Sequence, residues 1–150
     1  MVDRFERFSF TITEIYRCWH KIAADEMDEY DLKGAYSVYF TTLYRYPEGL
    51  TAVQLGELCN RDKADVSRAI TVLEEKKLIQ RTPSTGRTYR APLVLTEDGR
   101  RIAAHISEKA RVAVEFASRG LPAEKREIFY EALELISSNL QILSKEGLPK

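Results

Sequence analysis

Cysteine and long apolar runs are scarce in this 150-residue sequence. Its only two cysteines, Cys18 and Cys59, lie far apart, which excludes a disulfide framework and a paired-cysteine metal motif. No apolar run approaches the roughly 18 residues of a membrane span. The opening "MVDRFERFSF" mixes charges into its apolar positions and does not resemble a signal peptide. We therefore expect a single cytoplasmic domain that does not bind membranes.

Motifs of catalysis and of cofactor binding are also missing. The sequence has no glycine-rich phosphate loop, no Gly-x-Ser-x-Gly elbow and no His-Glu-x-x-His helix. His20 and His105 are the only histidines, and the spacing of Cys18 and His20 places them on different faces of a helix. We expect a protein that is not an enzyme and that uses no cofactor and no metal.

Charge of one sign is not in excess, because 23 basic residues balance 23 acidic ones. The balance hides an asymmetry along the chain. Residues 1–59 hold 6 basic and 10 acidic side chains (net −4), residues 60–101 hold 10 and 6 (net +4), and residues 102–150 hold 7 and 7. Between Ile79 and Leu95 there are three arginines and no acid. A local basic patch on a neutral protein is compatible with a nucleic-acid partner.

Apolar spacing predicts long helices at both ends of the chain. Apolar side chains recur at steps of three and four over the first thirty residues, and again in a last helix that begins near Pro122. Such seams suit helix pairing. The two seams are Phe5, Phe8, Ile12, Ile15, Trp19 and Ile22, and then Phe129, Leu133, Ile136, Leu140 and Leu143.

Two further helices are predicted after the first. Asp31 is expected to cap a central, buried helix from Leu32 to Tyr46, which stops at Pro47. Thr51 and Gln54 have the spacing of a capping box at the start of a short helix. The residues that this short helix should turn inward are Leu55, Leu58 and Cys59.

The middle of the chain combines a helix with a hairpin. Asp62 is expected to cap the helix within "DKADVSRAITVLEEKKLIQRT". From Ile79 the pattern changes to β-like runs, "IQR" and "YRAPLVL", on either side of the turn "TPSTGRT". Thr96 then caps a helix that ends at Gly120. This order predicts a mainly α fold with a small β-hairpin wing, a winged helix-turn-helix flanked by terminal dimerisation helices.

The two seams also bear on assembly. They are more than a 150-residue monomer needs to cover its core, so a homodimer built from both is the economical explanation. We assign residues 1–31 and 97–150 to dimerisation and residues 32–96 to the winged helix-turn-helix lobe of one domain, 1–150. The alternative is that the two seams pack against each other within one chain.

Three stretches resemble the MarR family of bacterial transcriptional regulators: "GLTAVQLGELCNRDKADVSRAITVLEEKKLI", "LVLTEDGRRI" and "LPAEKREIFYEALELISSNL". The first is similar to the family's helix-turn-helix, the second to the exit from the wing, and the third to the last helix. The resemblance implies a homodimer that binds pseudo-palindromic operators in double-stranded DNA, usually as a repressor. It also implies release by a small anionic or phenolic ligand, or by an oxidant.

The chain departs from the family pattern at two places. Where members commonly have glycine at the end of the recognition helix, this chain has Lys77, so the left-handed stop is either lost or strained by roughly 1 kcal/mol. The wing lacks the Asp-x-Arg signature that often braces it, and Pro92 lies in its returning strand, "GRTYRAPL". Since proline cannot donate to a ladder, that strand must be an edge there or end early.

The predicted helix within residues 62–82 has two different faces. Val66, Ala69, Ile70 and Leu73 form one apolar stripe at 100° per residue. The side chains opposite are short or polar around one arginine, which suits close approach to a major groove and bonding to guanine. A solvated face with long charged side chains is expected only in the second half, from Glu74 to Lys77. The groove-facing residues are Lys63, Ala64, Asp65, Ser67, Arg68 and Thr71.

Asp65 and the wing complete the predicted DNA-binding set. Asp65 either accepts from a cytosine amino group or pairs with Arg61 or Arg68. The wing arginines suit phosphates or a narrow minor groove, although arginines can also simply keep a wing soluble. The predicted wing contacts are Arg81, Thr85, Arg87, Thr88 and Arg90.

Aromatic residues crowd the first two predicted helices. Core packing and dimer burial explain most of them, and a cleft for a small aromatic or anionic effector is the alternative that the family resemblance implies. Cys18 gives a second alternative, a redox-sensing regulator, and a winged-helix dimer that acts through protein contacts is a third. The residues of the predicted effector pocket are Tyr16, Arg17, Trp19, His20, Tyr36, Tyr39 and Phe40.

Overall fold

A computed structural model describes residues 3–83 and 91–150 of the chain. The described elements are mostly helical and include a two-stranded antiparallel sheet, so the predicted fold class is confirmed. Within these residues, no helix combines the length and the hydropathy that crossing a bilayer requires. In chain order the elements are α1 (Arg4–Asp28), a 3₁₀ turn (Gly34–Tyr36), α2 (Ser37–Arg45), α3 (Ala52–Cys59), α4 (Lys63–Glu75), β1 (Ile79–Arg81), β2 (Leu93–Leu95), α5 (Glu97–Ala117) and α6 (Ala123–Glu146).

The chain divides into two compact units, Met1–Lys109 and Ala110–Lys150. The first unit runs from α1 into the first part of α5, and the second contains the rest of α5 and α6. In the second unit α6 begins directly after Pro122, as the sequence predicts. The predicted division into dimerisation helices and a DNA-binding lobe concerns function and stays a prediction.

The helix-turn-helix of α3 and α4 has the caps that the sequence predicts. Thr51 Oγ1 accepts from the Gln54 backbone N–H at 3.2 Å, and the Gln54 side chain accepts from the Thr51 N–H at 3.0 Å. At the start of α4, Asp62 Oδ1 accepts from the Asp65 N–H at 2.8 Å. Each bond satisfies an amide that the helix itself leaves unpaired. The capping box and the Asp62 cap are therefore confirmed.

The ends of α1, α3 and α4 are closed by residues with a left-handed backbone. At α4 the Lys77 N–H donates to the Glu74 carbonyl and the Leu78 N–H donates to the Leu73 carbonyl, both at 2.9 Å. This pair of bonds is a Schellman motif. The sequence left open whether Lys77 loses the left-handed end of the helix or adopts it under strain. The structure shows the second outcome, because Lys77 has a left-handed backbone although its side chain has a Cβ. The left-handed residues are Asp31 (φ 55°), Asn60 (φ 52°) and Lys77 (φ 57°).

The predicted start of the second helix is wrong. Asp31 does not cap it, because the Leu32 N–H donates to the Met27 carbonyl at 3.2 Å and so uses this segment to close α1. Asp31 instead lies 3.5 Å from Lys76 Nζ. The chain then passes through the 3₁₀ turn before α2 begins at Ser37. The expected burial of this central helix holds, with Phe40 fully buried.

One inward residue of α3 was also predicted wrongly. Leu55 and Cys59 are buried, but Leu58 is 46% exposed. Position 58 lies about 100° around the helix from position 59, which turns it off the packed face. Leu58 therefore does not contribute to the core.

The antiparallel pairing of the predicted hairpin is confirmed for β1 and β2, and β2 begins after Pro92, whereas residues 84–90 of the predicted turn and returning strand lie outside the described residues. The Pro92 carbonyl accepts from both the N–H and the Oγ1 of Thr82, each at 2.8 Å. On its other side, β2 exchanges two backbone hydrogen bonds between Leu93 and Leu50, at 2.7 and 3.1 Å. Pro92 therefore takes part in the pairing of the two strands only as an acceptor, since it has no N–H to donate. The paired residues are Ile79 with Leu95, Gln80 with Val94 and Arg81 with Leu93.

Thr96 joins the end of α4 to the start of α5. Its Oγ1 accepts from the Gly99 N–H at 3.1 Å, which confirms the predicted cap, and donates to the Lys77 carbonyl at 2.7 Å. Its own N–H donates to the Leu78 carbonyl at 3.0 Å. At Gly99 an added Cβ would lie 1.9 Å from the Leu78 carbonyl oxygen, so only glycine fits. The orientation of α4 is therefore fixed from its end.

Candidate nucleic-acid interface

The two faces of α4 differ as the sequence predicts. Its apolar stripe packs into the core, with no member more than 5% exposed. The opposite face is exposed at Lys63, Ala64, Ser67, Arg68 and Thr71. The Thr71 hydroxyl already donates to the Ser67 carbonyl at 3.0 Å, so its proton is used within the helix. Because the buried stripe anchors the helix, the exposed face is presented in a fixed orientation.

Asp65 pairs with Arg68 across one turn of α4. Arg68 Nη2 donates to Asp65 Oδ1 at 2.7 Å, which selects one of the alternatives left open by the sequence. This hydrogen bond raises the pKa of the Arg68 guanidinium. One carboxylate occupies only part of the guanidinium, which has five N–H donors in a fixed fork. The remaining donors stay directed outward from a side chain that is 67% exposed.

The second half of α4 is tethered on two sides. Arg81 Nη2 on β1 lies 3.3 Å from Glu74 Oε1, and Lys76 Nζ lies 3.5 Å from Asp31 Oδ2 beyond the end of α1. The sequence predicted a plain solvated face from Glu74 to Lys77. Glu74 does not fit this prediction, because β1 places Arg81 beside α4. The spacing of residues within the helix cannot show this contact. Arg81 is therefore a brace between wing and helix in this structure.

The other predicted wing residues lie outside the described residues. They are Thr85, Arg87, Thr88 and Arg90, all within residues 84–90.

The residues of the predicted effector pocket fall into two groups. On α1, Tyr16 and His20 have ring centroids 4.1 Å apart, and Tyr16, Arg17 and Trp19 are exposed. In the second group, Tyr39 and Phe40 are buried in the core, with the Tyr36 ring 6.3 Å from that of Tyr39. Burial assigns Tyr39 and Phe40 a packing role in this structure.

A cavity of about 440 Å³ lies elsewhere in the first unit. None of its lining residues belongs to the predicted effector set. Sequence reasoning missed it because its walls come from the end of α1, the end of α4 and α5, which are far apart in sequence. The lining residues are Tyr30, Leu78, Asp98, Arg101, Ile102 and His105.

The two cysteines differ in accessibility. Cys18 on α1 is exposed, whereas Cys59 is buried. Burial raises the pKa of the Cys59 thiol, whose Sγ lies 3.4 Å from Thr42 Oγ1. A buried thiol of raised pKa is poorly reactive, which agrees with the core role expected for Cys59.

Known proteins share the arrangement of these elements. Residues 30–87 match the MarR family model. No curated protein matches the sequence. The S. aureus MepR–DNA complex shares the fold at 22% identity and a TM-score of 0.78, over 89% of this chain and 97% of MepR. A MarR transcriptional regulator from Methanosarcina mazei Go1 gives 22% identity and a TM-score of 0.77, over 95% of this chain and 94% of its own.

A third solved structure agrees with these two. The transcriptional regulator SlyA matches at 22% identity and a TM-score of 0.80, over 89% of this chain and 93% of its own. Residues 30–87 include α2, α3, α4 and β1, the elements that build and hold the exposed face of α4. Residues 30–87 of this chain thus match the MarR family model, and the chain as a whole has the fold of these solved structures.

Proposed function

We propose that this protein is a homodimeric, sequence-specific DNA-binding regulator of transcription that acts as a repressor. The observation that carries the proposal is the exposed face of α4. It combines short side chains with one arginine, on a helix whose opposite face is buried. Short side chains allow close approach to base edges, and an arginine can bond O6 and N7 of guanine. We therefore assign base readout to Arg68, supported by Lys63, Ala64, Asp65, Ser67 and Thr71.

The wing supplies the proposed contacts with the DNA backbone. Arg87 and Arg90, with Thr85 and Thr88, are assigned to phosphates or the minor groove on the strength of the sequence. The ion pair with Glu74 holds the Arg81 side chain against α4. We therefore expect Arg81 to contribute less to direct DNA contact than Arg87 and Arg90.

Exposed apolar residues support the homodimer. On α1 the predicted seam from Phe5 to Ile22 is 39–71% exposed at every position, and on α6 Phe129 and Leu140 are 44% and 47% exposed. Apolar surface of this extent on helices usually marks an association site. In a dimer, the two copies of α4 would address half-sites about 10 base pairs apart on one face of the duplex.

The effector is proposed as a small aromatic or anionic molecule. The members of the predicted pocket on α1, the exposed Tyr16, Arg17 and Trp19 with the partly buried His20, offer stacking surfaces and cationic or polar groups. Binding there would release the operator. The same helix carries the exposed Cys18, so an oxidant is the second kind of trigger to test.

Titration of the full-length protein against random duplex DNA at 50 mM salt tests the DNA partner. We expect binding at micromolar concentration or tighter, weakening with salt at a log–log slope of roughly −5 to −7 if six to eight phosphates are neutralised per dimer. Absence of binding at low salt would refute DNA binding and favour a winged-helix dimer that acts through protein contacts. Selection from a random duplex pool then supplies the operator.

Two substitutions separate readout by the helix from anchoring by the wing. Arg68→Ala is expected to lower the ratio of operator affinity to scrambled-duplex affinity, by about tenfold or more. Arg87→Ala is expected to weaken both affinities about equally and to reduce the salt slope by about 1 per chain. The reverse pattern would show that the roles of helix and wing are exchanged.

A further inference from the structure

Three side chains of metal-ligating type converge where the end of α1 lies beside α5. Glu26 lies in the last turn of α1 and Glu29 is the residue that follows the helix, and His105 Nε2 on α5 lies 3.7 Å from a carboxylate oxygen of each. The three ligand atoms all lie within 4.8 Å of one another. We propose that Glu26, Glu29 and His105 bind a first-row divalent transition-metal ion, with Zn²⁺ as the representative case.

The distances favour a shared cation over direct bonding. Protein hydrogen bonds from nitrogen to oxygen span about 2.7–3.2 Å, so 3.7 Å is too long for His105 to be bonded to either carboxylate. Ligand atoms held tetrahedrally at about 2.0–2.2 Å from zinc stand roughly 3.3–3.6 Å apart. The histidine–carboxylate distances need to close by only a few tenths of an ångström. Glu29 and His105 are 66% and 42% exposed at their side chains, which leaves them room to do so.

The charge at the end of α1 independently points to a cation. The stretch "DEMDEYD", residues 25–31, holds five acids at the C-terminus of a helix, where the helix dipole is already negative. The last turn of α1 holds no basic residue. Lysines pair with the outer acids, Lys21 with Asp25 at 2.6 Å and Lys76 with Asp31 at 3.5 Å. The inner acids, Glu26 and Glu29, face only the imidazole among the described ion pairs.

The Tyr30 ring meets the His105 ring edge to face at 6.2 Å and packs the imidazole beside the end of α1. A cation between the three ligands would offset the negative charge that is concentrated there.

The ligand set restricts the kind of metal. One imidazole nitrogen with two carboxylate oxygens suits zinc, manganese, iron or nickel, whereas magnesium and calcium prefer oxygen alone. His105 and Tyr30 also line the cavity of about 440 Å³. This space can hold the water molecules or the small anion that would complete the coordination of an ion with three protein ligands.

Calorimetric titration of the full-length protein with Zn²⁺ tests the site without DNA, so its outcome does not depend on the proposed function. We expect one ion per chain for the wild type and no comparable binding of Mg²⁺. Glu26→Gln, Glu29→Gln and His105→Asn should each lower the Zn²⁺ affinity by about tenfold or more, with the far-ultraviolet circular dichroism unchanged.

The other histidine provides the matched control. His20→Asn and Cys18→Ser remove the nitrogen and sulfur ligands of α1 and should leave Zn²⁺ affinity unchanged. Cu²⁺ bound to the wild type should show nitrogen hyperfine coupling from one imidazole in its electron paramagnetic resonance spectrum, lost in His105→Asn and kept in His20→Asn. The proposal is overturned if the wild type binds no Zn²⁺, if His105→Asn binds as tightly as the wild type, or if His20→Asn abolishes binding.

Discussion

Asp65 and Arg68 carry opposite charges on the face proposed to meet DNA, and their pairing changes what each can do. Alone, Asp65 would repel the phosphates that approach the first turn of α4. Paired at 2.7 Å, it holds the Arg68 guanidinium and restricts its rotamers. The exposed pair contributes little to folding stability. Its value lies in orienting the group that is proposed to read a base.

Asp65→Asn should therefore change affinity and specificity in opposite directions. Removing a negative charge from each chain should strengthen binding to random duplex DNA, because phosphate repulsion falls. Loss of the hydrogen bond between Asp65 and Arg68 should lower the ratio of operator affinity to random-duplex affinity by several-fold, towards the value of Arg68→Ala. Fluorescence anisotropy with both duplexes at one salt concentration measures the two effects together.

Asp62→Asn is the matched control for this experiment. It removes one negative charge from the same turn, and asparagine caps a helix about as well as aspartate. The gain in random-duplex affinity should therefore be similar, while the specificity ratio should stay at the wild-type value. Equal specificity ratios for the two variants would show that Asp65 does not position Arg68.

Lys77 keeps a left-handed backbone with a side chain that disfavours it. Lys77→Gly should raise the free energy of unfolding by about 1 kcal/mol, since glycine adopts this conformation without a steric cost. Urea denaturation at matched protein concentration measures the change. Glu75→Gly, two residues earlier in the regular helix, should have the opposite sign, with a loss of about 1 kcal/mol. Destabilisation by Lys77→Gly would mean that the Lys77 side chain makes a stabilising contact.

At the scale of the elements, the sequence predicts those features that depend only on residues close together in the chain. The caps at Thr51, Asp62 and Thr96 were predictable because a side chain meets an amide two or three residues away. The start of α2 was not, because Leu32 closes α1 through a bond to Met27. The brace between Glu74 and Arg81 was missed for a related reason, since it depends on where the hairpin runs.

Substitutions at Thr96 test whether its hydrogen bonds stabilise the connection between α4 and α5. Thr96→Val removes the bonds to the Gly99 N–H and the Lys77 carbonyl, and should lower the free energy of unfolding by about 1–2 kcal/mol. Thr96→Ser keeps both bonds and should remain within about 0.5 kcal/mol of the wild type. Thermal denaturation followed by circular dichroism compares the three proteins. A loss in Thr96→Ser as large as that in Thr96→Val would show that the two hydroxyl hydrogen bonds do not stabilise this junction.

At the scale of the whole molecule, a site cannot be predicted from the sequence when its residues come from distant segments of the chain. The α4 face was visible in the sequence because a helix repeats every 3.6 residues and displays its buried and exposed sides as a pattern. The cluster of Glu26, Glu29 and His105 joins residues about eighty positions apart, so no local sequence pattern predicts it. The one sequence signal near it is the excess of acidic residues at the end of α1.

The proposed homodimer rests on the apolar seams, and α1 allows a matched test of it. Ile15 is 55% exposed on the predicted seam, and Phe10 is 69% exposed about 140° away around the helix. Ile15→Lys should shift the protein from dimer towards monomer in analytical ultracentrifugation, since it places a charge within the proposed contact. Phe10→Lys introduces the same charge and should leave the dimer intact.

The loss of the dimer should also weaken DNA binding. A monomer reaches one half-site, so the log–log salt slope of Ile15→Lys should fall to about half of the value for Phe10→Lys. Operator affinity should fall more steeply than random-duplex affinity, because two half-sites are no longer read together. A wild-type monomer, or a dimer insensitive to Ile15→Lys but broken by Phe10→Lys, would contradict the assignment of the seam to the dimer contact.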